Sequence, residues 1–345
     1  MTTMVCNDTR SSGQEAQLIY AITLPLSATI ILANLLIILG IASSRQLHNA
    51  RNYLYLSLLV ADLCMGVALP FIPWMSLSRP LAFSSCLMVH IFPNFLFLAF
   101  IFNLVLVYYE RYMSIVSPVL PGHFWPRSRF VPALLAVWLL PLVYALLPAF
   151  GWNNKDRFDE VGSGWCPAAN NTVHSVAMPK DNCCIYHNIF PDTFIYLEVY
   201  GLLVPAIVSI AAMTGRVLWI TRVQMRDIQR QQRAVNSTEQ RRKLGLRYTR
   251  CVATVSLAFL VCWLPYIIYT LLCMVFLQNH EPQVNRTAYI VLSCTGVGGM
   301  STVPLLLGLA NREYTNPARR LLRKVWHRWH RTHQQRDVNL QVFHS

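Results

Sequence analysis

Charge is what this chain has least of. Only 13% of its 345 residues are Asp, Glu, Lys or Arg, where soluble domains carry about 25%. Acids are scarcer than bases, 15 against 29, which leaves a formal net charge of +14. That excess could serve nucleic acid, but no DNA- or RNA-binding motif interrupts the apolar runs. The ten cysteines contain no CxxC pair, which removes zinc modules and dithiol redox motifs. Neither a nucleophile with its base nor a metal cluster is present, so an enzyme is excluded and no cofactor is expected. Residues Met1 to Ala16 lack a basic stretch followed by an apolar core, which argues against a cleavable signal peptide.

What is present is hydrophobic sequence, 54% of the chain, gathered into long runs. They lie at about Tyr20–Ala42, Tyr53–Met75, Leu87–Tyr109, Phe130–Phe150, Thr193–Ile220, Cys251–Leu277 and Thr287–Ala310. Each has the roughly 20 apolar residues that a spanning helix needs. An all-α membrane protein, a bundle of seven transmembrane helices, is therefore expected. The central rod begins at Cys86 and carries no formal charge before Glu110. At about 1.5 Å per residue it is roughly 36 Å long, against a hydrocarbon core of about 30 Å. The chain divides into an outer N-terminal segment (1–18), a seven-span domain (19–310) and an inner C-terminal segment (311–345).

Basic residues orient the bundle. With the N-terminus outside, inner segments hold 23 of the 29 Lys and Arg, as the positive-inside rule requires. The sequons at Asn7, Asn170 and Asn285 then all lie outside, whereas the one at Asn236 lies inside. Cys86, at the outer end of the third run, needs a partner. Cys166, Cys183 and Cys184 of the second outer loop are available; Cys184, nearest the fifth run, is favoured and Cys183 is next. Thr221 to Arg247 is strongly basic without an apolar stripe and is expected to extend the fifth and sixth helices inward. Beyond the seventh run, Leu321, Leu322, Val325, Trp326 and Trp329 share one helical face and Arg or Lys cover the rest. This predicts a C-terminal amphipathic interfacial helix on anionic membrane lipids. His327, His330 and His333 there are surface histidines rather than a metal site.

Polar residues inside the bundle need reasons, because a charge at mid-membrane costs about 2.5–3.5 kcal/mol on insertion scales. Asp62 either takes a sodium ion, relays a conformational change, or is an acid hydrogen-bonded to a neighbour such as Asn34. Asn94 shares a helical face with His90 and Phe97. Glu198, about two turns into the fifth run, faces a ligand hydroxyl or a structural partner. Trp263, Tyr266 and Thr270 share a face around Pro265, which weakens its helix and makes a packing switch plausible.

Together these residues resemble the rhodopsin-like (class A) G-protein-coupled receptors. The resemblance rests on Asn34, Leu58-Leu59-Val60-Ala61-Asp62, Glu110-Arg111-Tyr112, Trp138, Pro205 and Cys262-Trp263-Leu264-Pro265. Within the family, Pro93-Asn94-Phe95, Leu147 to Asn153 and Tyr196 to Leu203 are most similar to its bile acid receptors. The seventh-helix motif reads Val303-Pro304-Leu305-Leu306-Leu307, a form that branch shares; its usual tyrosine has no counterpart. His90 stands where that branch has tyrosine, and Asp62 where its mammalian members have glycine.

The resemblance implies a pocket for an amphipathic steroid, a bile acid or bile alcohol, in the outer half of the bundle at the plasma membrane. Its candidate lining is His90, Asn94, Phe97, Glu198, Trp263, Tyr266, Thr270 and Ser293, with Arg79 a further candidate for the acidic end. The resemblance also implies coupling to a heterotrimeric G protein of the stimulatory class, which raises cyclic AMP. Asp62, Glu110, Arg111, Tyr112, Trp263, Pro265 and Pro304 would carry activation. An adenosine receptor would need an asparagine on the pocket face of the sixth helix, absent from Cys262 to Leu277. An amine receptor would need an aspartate where Pro93 stands, and a retinal pigment a lysine between Thr287 and Ala310. A transporter would show repeats and broken helix pairs.

Overall fold

The computed structural model describes residues 5–70, 82–116, 127–156 and 189–231, together with positions 261, 265, 268, 316, 317, 319, 320, 323 and 326. Among the described residues there are helices and turns and no strand. Helix α1 is Val5–Ala42, α2 is Ala50–Ala68, α3 is Phe83–Val116 and α4 is Arg127–Leu146. A fifth rod, α5, spans 192–231 in three parts: α-helical Asp192–Tyr196, π-helical Leu197–Leu203 and α-helical Val204–Gln231.

Four described stretches are long and apolar enough to cross a membrane: Tyr20–Ala42, Phe83–Ser114, Arg129–Phe150 and Asp192–Ile220. They coincide closely with the first, third, fourth and fifth apolar runs. Helix α2 is more polar, since it carries Arg51, Asn52 and Asp62 within 19 residues. Two helices outrun their apolar parts. Helix α1 begins at Val5, well before the expected start near Tyr20, because extending a formed helix adds one hydrogen bond per residue fixed. Helix α5 continues to Gln231, as expected of the basic inner segment.

The central rod is α3. It packs against α2, α4 and α5, and 61% of its spanning window is buried, against 22–33% for the other three. Leu98, Ala99, Phe100, Ile101 and Leu104 are wholly buried. Side chains on the outward faces, such as Leu32, Leu140 and Val208, are exposed, as lipid-facing residues are when only one stripe of a helix meets protein.

Helices α1 and α2 approach closely at Gly66. A Cβ there would stand 2.6 Å from Ile30 Cγ2, and Ile30 is fully buried. Ser27 Oγ donates to Gly66 O at 2.6 Å across the same crossing. After α4 a 3-10 turn, Leu147–Phe150, ends at Gly151 with φ 113°, a conformation that suits glycine. Trp152 N then donates to Leu147 O at 3.3 Å and Asn154 N to Ile189 O at 2.9 Å. The Leu147-to-Asn154 stretch thereby ties the outer end of α4 to the start of α5.

Candidate ligand site and coupling site

The outer half is an aromatic assembly. Phe194 stacks on Tyr144 (centroids 4.7 Å apart) and on Phe190 (5.0 Å), and Trp152 meets it edge-on at 5.5 Å. Such contacts add to the area they bury. Tyr144 Oη donates to Phe194 O at 2.8 Å, which keeps the phenol satisfied. His90 meets Phe190 edge to face at 6.2 Å. Phe97 is half-buried where the outer and inner apolar clusters meet.

A side-chain link also crosses this region from α3 to α5. Asn94 Nδ2 on α3 donates to Glu198 Oε2 on α5 at 3.1 Å, joining residues 104 positions apart in sequence. Asn94 is buried, and its Oδ1 has no hydrogen-bond partner among the described residues. Glu198 lies in the π-helical part of α5. The wider turn breaks the 3.6-residue register and re-aims side chains, which is why π segments recur at functional sites. Pro205, just beyond it, has no N–H to donate, and Ser209 Oγ donates to Pro205 O at 2.7 Å.

The middle and inner halves are joined by polar side chains instead. Asn34 Nδ2 donates to Asp62 Oδ2 at 2.6 Å, linking α1 to α2, so the neighbour expected from sequence is the one found. Trp138 Nε1 donates to Ser57 Oγ at 2.9 Å, and Ser57 Oγ donates to Asn103 Oδ1 at 2.6 Å. Three helices, α2, α3 and α4, meet in that relay. At the inner end of α3, Arg111 Nε lies 3.7 Å from Glu110 Oε2, while Arg51 Nε of α2 donates to Glu110 Oε1 at 2.8 Å. Tyr112 is half-buried beside them.

Sequence reasoning missed Arg51 as a partner of Glu110. The signal was a cation in the first turn of a helix, where the macrodipole disfavours it. The Ser57–Trp138–Asn103 relay likewise has no sequence signal beyond the presence of Trp138. Of the remaining candidates, Pro265 is helical and exposed, as are Val261 and Ile268 one turn to either side. Trp263, Tyr266, Thr270, Ser293, Arg79, Pro304, Cys184, Asn170 and Asn285 lie outside the described residues, and Asn7 falls within α1. Cys86 is buried and disulfide-bonded.

An aromatic outer half with a polar bridge from α3 to α5, above polar relays that end in an acid–arginine cluster, suits a transmembrane signalling receptor rather than an enzyme. The family model for the 7 transmembrane receptor (rhodopsin family) matches residues 33–301, and the chain belongs to that family. The family sets the architecture, a seven-helix bundle. The chain is 38% identical over 315 residues to G-protein coupled bile acid receptor 1 of Homo sapiens, covering 89% of this chain and 87% of that one. It is 36% identical over 302 residues to the receptor of the same name from Rattus norvegicus, covering 86% and 83%. Adenosine receptor A2b of Canis lupus familiaris is more distant, 24% identical over 303 residues, covering 85% and 86%.

Proposed function

We propose that the chain is a plasma-membrane receptor with its N-terminus outside, which binds an amphipathic steroid, a bile acid or bile alcohol, and activates a stimulatory G protein to raise cyclic AMP. The observation that carries this reading is the Asn94–Glu198 bridge. It joins α3 to α5 within aromatic surroundings and leaves Asn94 Oδ1 as a buried acceptor. A buried acceptor without a donor costs about 1–3 kcal/mol, and a steroid hydroxyl supplies one while its apolar face packs on the surrounding rings. The other proposed lining is His90, Phe97, Trp263, Tyr266, Thr270 and Ser293.

Ligand tightens one arrangement of α3 against α5, and only a difference in affinity between two arrangements can shift their populations. In the open arrangement the sixth helix swings out around Pro265, with Trp263 and Pro304 as packing elements. Arg111 leaves Glu110 to meet a helix of the G protein, with Tyr112 beside it. Asp62 relays the change; its Oδ1 and Asn34 Oδ1 are buried without a hydrogen-bond partner among the described residues, a fit for the proposed sodium ion. Cys86 pairs with Cys184, the glycans sit on Asn7, Asn170 and Asn285, and the C-terminal helix lies on anionic lipid. Arg319, Arg320, Arg323 and Trp326 are helical and exposed there, as an interfacial helix would have them.

The test is a panel of bile acids and bile alcohols applied to cells expressing the chain. A concentration-dependent rise in cyclic AMP is expected, absent from mock-transfected cells. A flat response across the panel, with surface expression verified, removes the ligand assignment. A response to adenosine in its place would favour the more distant relatives.

A further inference from the structure

We infer that Arg51 is a positioning residue for coupling: a second counterion on Glu110 that lets Arg111 leave without stranding a buried carboxylate. The inference rests on the receptor reading above. Among the described residues Glu110 has two guanidinium neighbours, from different helices, one for each carboxylate oxygen. Arg51 of α2 holds Oε1 at 2.8 Å, whereas Arg111, next to Glu110 on α3, stands 3.7 Å from Oε2. The nearer cation is therefore Arg51, not the Arg111 proposed to meet a G protein. Side-chain exposure separates the three groups further: Glu110 is 5% exposed and Arg111 11%, but Arg51 is 45% exposed at the rim.

That geometry sets the sign. A carboxylate this deeply enclosed is strongly disfavoured once it loses every cation. If Arg111 were its sole counterion, moving Arg111 outward would leave the charge bare and the closed arrangement would be held shut. With Arg51 bonded to the other oxygen, Glu110 stays neutralised whether Arg111 is home or away. The arrangement also serves Arg51. It lies in the first turn of α2, which contains no acidic residue, and a cation at that end of the helix dipole is unfavourable by itself. Glu110 offsets both. Removing Arg51 should thus lock the receptor, the reverse of removing Glu110, which releases Arg111. Because Arg51 is half-exposed, solvent screens part of its effect.

The experiment uses the full chain in lipid nanodiscs with a fluorophore at position 251, the inner end of the sixth apolar run, and reads the ligand-free open fraction. Glu110→Gln is expected to raise that fraction. Arg51→Gln should lower it about two- to fivefold, and Arg51→Lys should recover most of the loss. In the Glu110→Gln background, adding Arg51→Gln should change nothing. An open fraction unchanged or raised by Arg51→Gln overturns the inference. So does an equal loss in the Glu110→Gln background, which would mean that Arg51 acts through packing. No opening in any variant, Glu110→Gln included, overturns it too. Nucleotide exchange on a stimulatory G protein is read in parallel. Opening with the expected pattern but without exchange sinks the coupling partner and leaves the Arg51 inference standing.

Discussion

The two halves of the bundle are joined by different chemistry. Among the described residues of the outer half, stacked aromatic rings carry much of the packing, with Asn94 bonded to Glu198 from α3 to α5 and Tyr144 to the Phe194 carbonyl from α4 to α5. In the inner half, short polar contacts run between helices: Asn34 to Asp62, Trp138 through Ser57 to Asn103, and Arg51 to Glu110. Aromatic pairs accept more than one geometry, offset-stacked or edge-to-face, at about 0.5–1.5 kcal/mol each. Hydrogen bonds and ion pairs between buried groups have narrow geometry, and a misaligned one is costly. On the proposed reading the outer half adapts to a guest, while the inner half switches between discrete arrangements. A receptor needs that division: a compliant end that takes a ligand and a switch-like end that reports it.

The largest expected effect falls at the inner end. Arg111→Ala should leave bile acid binding in place and abolish the cyclic AMP response; an intact response in surface-expressed variant would equate the two halves and break the comparison. Next is the outer bridge. Asn94→Ala removes its bond to Glu198 and the buried acceptor, which should raise the half-maximal bile acid concentration by about 5- to 150-fold, matching about 1–3 kcal/mol. Dose–response curves that superimpose would take Asn94 out of the ligand's reach.

Packing effects should be smaller and should act on stability rather than potency. Gly66→Ala forces a methyl against the buried Ile30 side chain, an overpacking that costs about 1–3 kcal/mol. A lowered thermal midpoint in detergent, with half-maximal concentration little changed in the surviving receptor, is the expected pattern. The smallest effect is expected from Trp138→Phe, which deletes the indole donor to Ser57 and should cost about 1 kcal/mol. If its thermal midpoint matches the parent's, the relay contributes nothing to holding α2, α3 and α4 together.

Much of this was legible in the sequence because hydrophobic length is a strong signal in a chain so poor in charge. The first, third, fourth and fifth spans were placed to within a few residues. Asn34 was named as Asp62's neighbour because both are buried polar residues that lipid cannot satisfy. Asn94 and Glu198 were each singled out for the same reason, but their pairing was not. The third and fifth helices are far apart in sequence, and the π turn that aims Glu198 leaves no mark in residue type. Arg51 read simply as an inner positive charge, because a helix-start cation and an acid 59 positions away share no periodicity. Gly66 carries no sequence signal for a related reason. One glycine in an apolar helix says nothing of which neighbour approaches it.

The central claim is that a steroid is read at the bridge between α3 and α5. It is tested most directly by saturation binding of a labelled bile acid to the purified receptor, beside Asn94→Ala, Glu198→Gln and the double variant. The account predicts saturable binding, weakened by each substitution, with the double variant losing less than the two single losses combined. Strictly additive losses, or binding that none of the three alters, would contradict it.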